Sequence, residues 1–270
     1  MIDLHNHLLP DWDDGAADQA EAHRMLAVAR MDGISQIVLT PHVHRMNKPG
    51  RVVGDLKARI RLFLDGLQTR GLEVFPGAEV TYHRDLIATV RDFGLTVNGS
   101  DYVFIEFPAE SLPEEVSGLV SRMMLAGLIP IISHPERNAV FARRPEILYD
   151  MVMQGAVAQV TAQSLTGQFG PRVRRTAEAF LRRGLLHVIA SDAHNSGSRP
   201  PRLSDAVKAA AKLVGAARAE AMVTTVPAAI LANSQIPDLG EPLSHAKRRW
   251  SDLRWPAGGA WPFSGGRRRA

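Results

Sequence analysis

Between residues 34 and 192 one unit recurs: a short apolar run, in most cases rich in β-branched residues, then a polar residue of catalytic type, then a stretch of helical period. The runs occupy 34–39, 72–75, 102–107, 128–133, 156–160 and 186–190, and residues 3–7 make a further short strand at the start. Helical periods fall at 17–30, 52–70, 114–126, 145–154, 171–183 and 203–214. About seven strands alternating with helices predict one α/β domain, a single parallel β/α barrel resembling a TIM barrel, rather than two domains. The barrel is expected to span residues 1–237 of the 270.

The polar residues fall where such a barrel does its chemistry. Asp3, His5 and His7 alternate with period two, so the two imidazoles project to one face of a strand. His42 follows "IVLTP", Glu79 follows "VFPGA", Glu106 sits in "VFIEFP", His134 follows "IPIIS", and Asp192 and His194 follow "HVIAS". Each is a nitrogen or oxygen donor at the C-terminal end of a strand, the face on which barrel enzymes assemble their sites. A lone His-x-His is weak; agreement across six strands is not a scatter of solvated charges. With Asp14 from the first turn the donors number nine, more than one ion uses, and a carboxylate-bridged cluster of two or three ions is expected.

Imidazole and carboxylate without sulfur suit Mn, Fe or Zn, and the carboxylate share leans toward Mn2+, with Mg2+ also compatible. Such a cluster acidifies a bridging water and stabilises entering and leaving oxygens, which makes phosphoester hydrolysis the expected reaction. Two arginines stand beside the donor motifs, Arg137 in "SHPERN" and Arg199 in "SDAHNSGSRPP", and a planar guanidinium is the natural clamp for phosphate.

Composition removes competing mechanisms. There is no cysteine, hence no cysteine nucleophile, thiolate zinc site or disulfide framework. The net charge of +4 resides in the end of the chain: residues 241–270 carry seven Lys/Arg against two Asp/Glu, leaving the first 240 near neutral, so a nucleic-acid-gripping body is not indicated. No leader-like opening and no apolar run of membrane-spanning length is seen, and a cytoplasmic location is expected. Residues 238–270, rich in Arg, Gly and Pro with Trp250, Trp255 and Trp261, are expected to form a flexible basic tail.

The words "MIDLHNHLLPDWDDGA", "TPH", "GAEV", "FIEFP", "PIISHPERN", "VTAQSLTGQFG" and "ASDAHNSGSRPP" resemble the PHP (polymerase and histidinol phosphatase) superfamily, and within it the CpsB/CapC type of manganese-dependent protein-tyrosine phosphatase. The resemblance implies a distorted (β/α)7 barrel holding three ions: His5, His7, Glu106 and Asp192 about the first, Glu79, Glu106 and His134 about the second, Asp14, His42 and His194 about the third. It implies Arg137 and Arg199 as phosphate clamps and, as substrate and partner, a phosphotyrosine protein such as a bacterial tyrosine kinase controlling capsule or exopolysaccharide synthesis. Homo-oligomer formation is left open. Phenolate, with a parent pKa near 10, leaves more readily than an alkoxide, which fits a site with no evident general acid.

Competing readings are a small-molecule phosphomonoesterase such as a histidinol-phosphate phosphatase, a nuclease-like proofreading domain, and an inactive regulatory module. Asp13 rivals Asp14 as the first-turn donor or else caps the following helix. His44 is read as a loop residue or a substrate-side contact, while His23, His83, His187 and His245 are read as structural or solvated. Gly167 and Gly170 in "SLTGQFG" lack the Lys-Ser/Thr of a phosphate loop, so a turn packing Phe169 under the barrel is expected.

Overall fold

A computed structural model describes residues 1–43, 53–69 and 71–243. His44, His245, the three tail tryptophans and most of the basic tail lie outside the described residues. Nine strands are present among them: β1 Ile2–Asn6, β2 Gln36–Leu39, β3 His42–Val43, β4 Glu73–Phe75, β5 Glu79–Thr81, β6 Tyr102–Glu106, β7 Ile129–Ile132, β8 Val157–Thr161 and β9 Val188–Ala190. Every pairing is parallel, in the orders β1-β2-β4 and β3-β5-β6-β7-β8-β9. The strands are buried almost throughout, which is why they read as apolar runs rather than alternating ones.

The sheet curls. Past β9 the amide of Asp192 donates to the His5 carbonyl (2.9 Å) and that of His7 to the Ala193 carbonyl (2.9 Å), laying the end of β1 beside the end of β9. Asp3 reinforces this seam from inside by accepting from Ser191 N (2.8 Å), Ser191 Oγ (2.5 Å) and Asn6 Nδ2 (3.0 Å). It shares a strand face with His5 and His7 but serves as a brace.

Two strands absent from the sequence expectation, β3 and β5, continue β2 and β4 after short breaks. Pro41 and Pro76 stand in those breaks, where a residue without an N–H interrupts the ladder. Gly77 is required by packing: a Cβ there would lie 2.8 Å from Val38 Cγ1 and 2.9 Å from the Leu39 carbonyl. The breaks let the chain bend inward before His42 and Glu79.

The expected helices appear at Gln19–Met31, Val53–Gly66, Val116–Leu125, Pro145–Met153, Pro171–Arg182 and Ser204–Val214. Five further ones were not expected, at Leu86–Phe93, Ala139–Arg143, Ala162–Thr166, Ala216–Ala221 and Thr225–Leu231; all five have eight residues or fewer, too short for a helical period to register. The first helix is capped by Asp18, whose side chain accepts from Glu21 N (2.7 Å), so Asp13 is not its cap. No helix of the described residues is long and apolar enough to cross a membrane.

Candidate metal centre

All nine expected donors converge at the C-terminal ends of the strands. The Nε2 atoms of His5 and His7 lie 3.2 Å apart, and each faces Glu79 Oε2, at 3.4 and 3.7 Å, and Asp192 Oδ1, at 3.7 and 3.4 Å. His42 Nδ1 approaches Glu79 Oε2 (3.0 Å) and Glu106 Oε2 (3.7 Å), while its Nε2 faces Asp14 Oδ1 (3.5 Å). His134 Nε2 faces Glu79 Oε1 (3.3 Å) and Glu106 Oε1 (3.9 Å), and His194 Nε2 faces Asp14 Oδ1 (3.3 Å). Three groups offer one donor atom per residue within 4.8 Å of one another: His5, His7 and Asp192; His42, Glu79 and Glu106; and His7, Asp14, His42 and His194. Glu79 rather than Glu106 occupies the centre, reached by four imidazoles.

Residues around the donors aim them. His7 Nδ1 bonds Asp13 Oδ2 (2.9 Å), His5 Nδ1 bonds Gln159 Oε1 (3.2 Å), and His194 Nδ1 bonds the Asp192 carbonyl (3.0 Å), so all three rings keep Nε2 for the centre. Asp13 also accepts from the amides of Gly15 (2.9 Å) and His42 (2.8 Å). The two carboxylates of the first turn are thereby separated: Asp13 is wholly engaged with backbone and ring N–H groups, and Asp14 alone faces His42 and His194. The turn is tight because Gly15 lies on His7, where a Cβ would come within 2.1 Å of its carbonyl oxygen. Gln159 has no place among the residues expected from the sequence, although a glutamine inside the apolar run "AVAQVT" is a visible signal, and Asp13, a rival donor or helix cap by sequence, instead orients His7.

His134 (φ 32°) and Asp192 (φ 50°) both adopt the left-handed conformation immediately beyond their strands. Such residues cost about 1–3 kcal/mol each and persist where the surroundings over-determine them, as at binding sites.

Electrostatics describe a site built around positive charge. Burial favours the neutral acid of Glu79, but His5, His42 and His134 hold it well below the usual carboxylate range. Burial likewise opposes charge on Asp192, and Arg199, Arg137 and the neighbouring histidines overcome it. Burial and His42 disfavour protonation of His7, yet Asp13 and Asp192 push it up to about 9; His42, buried but facing Glu79, Glu106 and Asp13, is also pushed up to about 9. Both Glu79 oxygens are buried and lack any hydrogen bond. A fully buried carboxylate that forms no hydrogen bond and is ringed by imidazole nitrogens fits a site for divalent cations, in which the ion would take over the charge that the histidines now supply.

Arg137 and Arg199 reach the same oxygen, Asp192 Oδ2, Arg199 Nη2 at 2.8 Å. Phe169 is not under the barrel: its ring lies against both guanidiniums, 5.0 Å from Arg137 Cζ and 6.0 Å from Arg199 Cζ. The reason is the short helix Ala162–Thr166 after β8, which carries the segment across the C-terminal face. Among the remaining histidines, His23 bonds the Gln19 carbonyl, His83 bonds the Thr81 carbonyl and Thr89 Oγ1, and His187 accepts from Ala158 N, all apart from the cluster.

Residues 1–232 match the CpsB/CapC family, described as capsular polysaccharide synthesis. The chain is 35% identical over 209 residues to the tyrosine-protein phosphatase YwqE of Bacillus subtilis, covering 74% of this chain and 79% of that protein. It is 28% identical over 244 residues to the tyrosine-protein phosphatase CpsB of Streptococcus pneumoniae, covering 87% and 100%. A crystal structure from a study of YwqE and CpsB, described there as unique metal-dependent tyrosine phosphatases, superposes with a TM-score of 0.79 at 31% identity over 90% of this chain and all of that one. A histidinol phosphate phosphatase from Lactococcus lactis shares the fold at 12% identity, with a TM-score of 0.50 over 81% and 93%.

Proposed function

The chain belongs to the CpsB/CapC family, and from that premise we propose that it is a metal-dependent tyrosine-protein phosphatase hydrolysing the phosphate ester of tyrosine in a protein. The observation that carries this reading is Glu79, buried without a hydrogen bond at the meeting point of His5, His7, His42 and His134, with two guanidiniums beside the cluster. His5, His7, Asp14, His42, Glu79, Glu106, His134, Asp192 and His194 are the proposed metal-holding residues. The three donor groups favour three ions, and the all-nitrogen-and-oxygen set rich in carboxylate favours Mn2+, with Fe, Zn or Mg2+ as replacements. Divalent ions supply Lewis acidity toward phosphoryl oxygens and make water acidic enough to ionise near neutrality.

The protein's own groups do the rest. Arg137 and Arg199 are placed to exchange their bonds with Asp192 for bonds to the phosphate oxygens, orienting the ester. Asp13, Gln159 and the Asp192 carbonyl hold three imidazoles in one orientation. The tyrosine leaves as a phenolate, for which strong acid assistance is unnecessary. We read β2 with β3 and β4 with β5 as two broken strands, giving a distorted seven-stranded barrel over residues 1–237, with 238–270 as its basic tail. The family's description in capsular polysaccharide synthesis supports a bacterial tyrosine kinase of that system as the substrate.

A panel of phosphotyrosine peptide, phosphoserine peptide and histidinol phosphate, run with Mn2+ and with chelator, tests this. Selective, chelator-sensitive turnover of the tyrosine peptide is expected. Equal or faster turnover of histidinol phosphate would sink the assignment.

A further inference from the structure

The helix Ala162–Thr166 and the turn after it hold none of the nine donors, yet they touch both loops that carry the arginines. We propose that residues 163–169 are the positioning element of the phosphate clamp, setting Arg137 and Arg199 at one spacing; this rests on the assignment of those arginines to the substrate phosphate. Three contacts from three residues carry it. Ser164 Oγ donates to Glu136 Oε1 (2.6 Å), which also accepts from Thr161 N (3.1 Å), so the turn Pro135–Arg137 is pinned through the residue next to Arg137. Gln163 Nε2 donates to the Ser198 carbonyl (2.7 Å), pinning the other loop through the residue next to Arg199. Phe169 spans the two, its ring near both guanidiniums on one side and packed with Ala139, Ala142 and Val173.

The contacts answer a physical need. Two guanidiniums directed at one carboxylate oxygen repel each other, and each has rotamers that would carry it into solvent. The negative face of an aromatic ring attracts both, and its packing against the alanines and Val173 gives that face a fixed position. Ser164 and Glu136 are fully buried, so their bond is shielded from competing water, and losing the donor leaves a buried carboxyl oxygen short of a partner. Bidentate recognition of phosphate is directional, and a displacement of about 1 Å in a positioning group costs on the order of 100-fold in rate. A rigid spacer serving both arginines at once is the economical way to hold that geometry.

A double-mutant cycle tests the inference on the full-length, metal-loaded protein, using inorganic phosphate as inhibitor of phenyl phosphate turnover. Ser164→Ala should raise the phosphate inhibition constant and KM about tenfold in the otherwise unaltered chain but only about twofold or less beside Arg137→Ala, because coupled residues are non-additive. Its effect beside Arg199→Ala should stay near full size. Gln163→Ala should show the reverse pattern, coupled to Arg199 and independent of Arg137. Phe169→Leu should weaken phosphate inhibition and lose that effect beside either arginine variant, with Phe169→Tyr restoring it. Glu136→Gln, which keeps the accepting oxygen, should behave nearly as the parent, and Glu136→Ala as Ser164→Ala.

Equal losses in every background, or unchanged phosphate inhibition, would overturn the inference. If Ser164→Ala does not fold, the Gln163 and Phe169 cycles decide it by the same criteria. Arginine variants with ordinary phosphate inhibition would overturn the clamp assignment and this inference with it, whereas strong arginine effects without coupling would overturn this inference alone.

Discussion

The two ends of one set of strands are built for opposite purposes. At their C-terminal ends stand five histidines and four carboxylates, nearly all buried, two of them in strained left-handed backbone. At the other end Ile2, Val97, Tyr102, Val188, Val226 and Ile230 close the interior, with Ile236 and Leu239 of the returning chain packed over them. His5 lies at the boundary, its ring 4.9 Å from that of Phe104. The apolar end gains stability by burial, and that gain offsets the desolvation cost of the carboxylates and imidazoles buried at the polar end. Conserving fold and conserving chemistry are thus separable by mutation.

The largest expected separation is at the polar end. His134→Ala or Asp192→Ala should reduce phosphomonoester kcat/KM by about 10³-fold or more, the scale on which losing a principal electrostatic group in a site acts, while the urea midpoint of the metal-free His134→Ala protein moves little. Turnover at the parental rate in either variant breaks the proposed mechanism. At the apolar end Ile230→Ala should do the converse, costing about 2–4 kcal/mol of stability as a cavity-forming substitution while kcat of the folded protein stays the same; a large fall in kcat would show that the ends are not independent.

The smallest effect concerns a histidine at the apolar end. His187, beside the start of β9, is held neutral by burial and by Arg218, down to about 4, and its Nδ1 accepts the Ala158 amide. An unfolded histidine titrates near 6.5. The folded value being lower, protons bind the unfolded chain preferentially, so this group's contribution is intact above about pH 6.5 and is lost as pH falls toward 4, by about 2–3 kcal/mol. Denaturant titrations from pH 7.5 to 4 should show a shallower acid loss in His187→Asn, which keeps an acceptor for Ala158. An identical pH slope in both proteins would contradict a neutral His187. At the polar end the histidines diverge: His7 and His42 are pushed up to about 9 by their carboxylates, whereas burial, His7 and Arg199 push His194 down to about 4.

Much of the polar end is legible in the sequence. His5, His7, His42, Glu79, Glu106, His134, Asp192 and His194 each follow or end an apolar run, and a parallel sheet sends all such positions to one rim. Less legible were β3 and β5, two and three residues long and cut off by Pro41 and Pro76, because so short a segment has no period of its own. Phe169 was misplaced for a related reason: the five-residue helix Ala162–Thr166 that redirects it is below the length at which amphipathic pattern is readable.

What the sequence determined by itself is the alternation of parallel strands and helices, the donor types at the strand ends, and the absence of any thiol chemistry, because periodicity and side-chain chemistry are local properties. What only the tertiary structure decided is which carboxylate of the Asp13-Asp14 pair faces the cluster, that Glu79 stands at its centre, and that Phe169 lies against both arginines. Those outcomes depend on contacts such as His42 to Asp13, His5 to Gln159 and Gln163 to Ser198, between residues 29, 154 and 35 positions apart. Separations of that size are closed by the sheet's curl, and no local pattern records which side chains will meet when it closes.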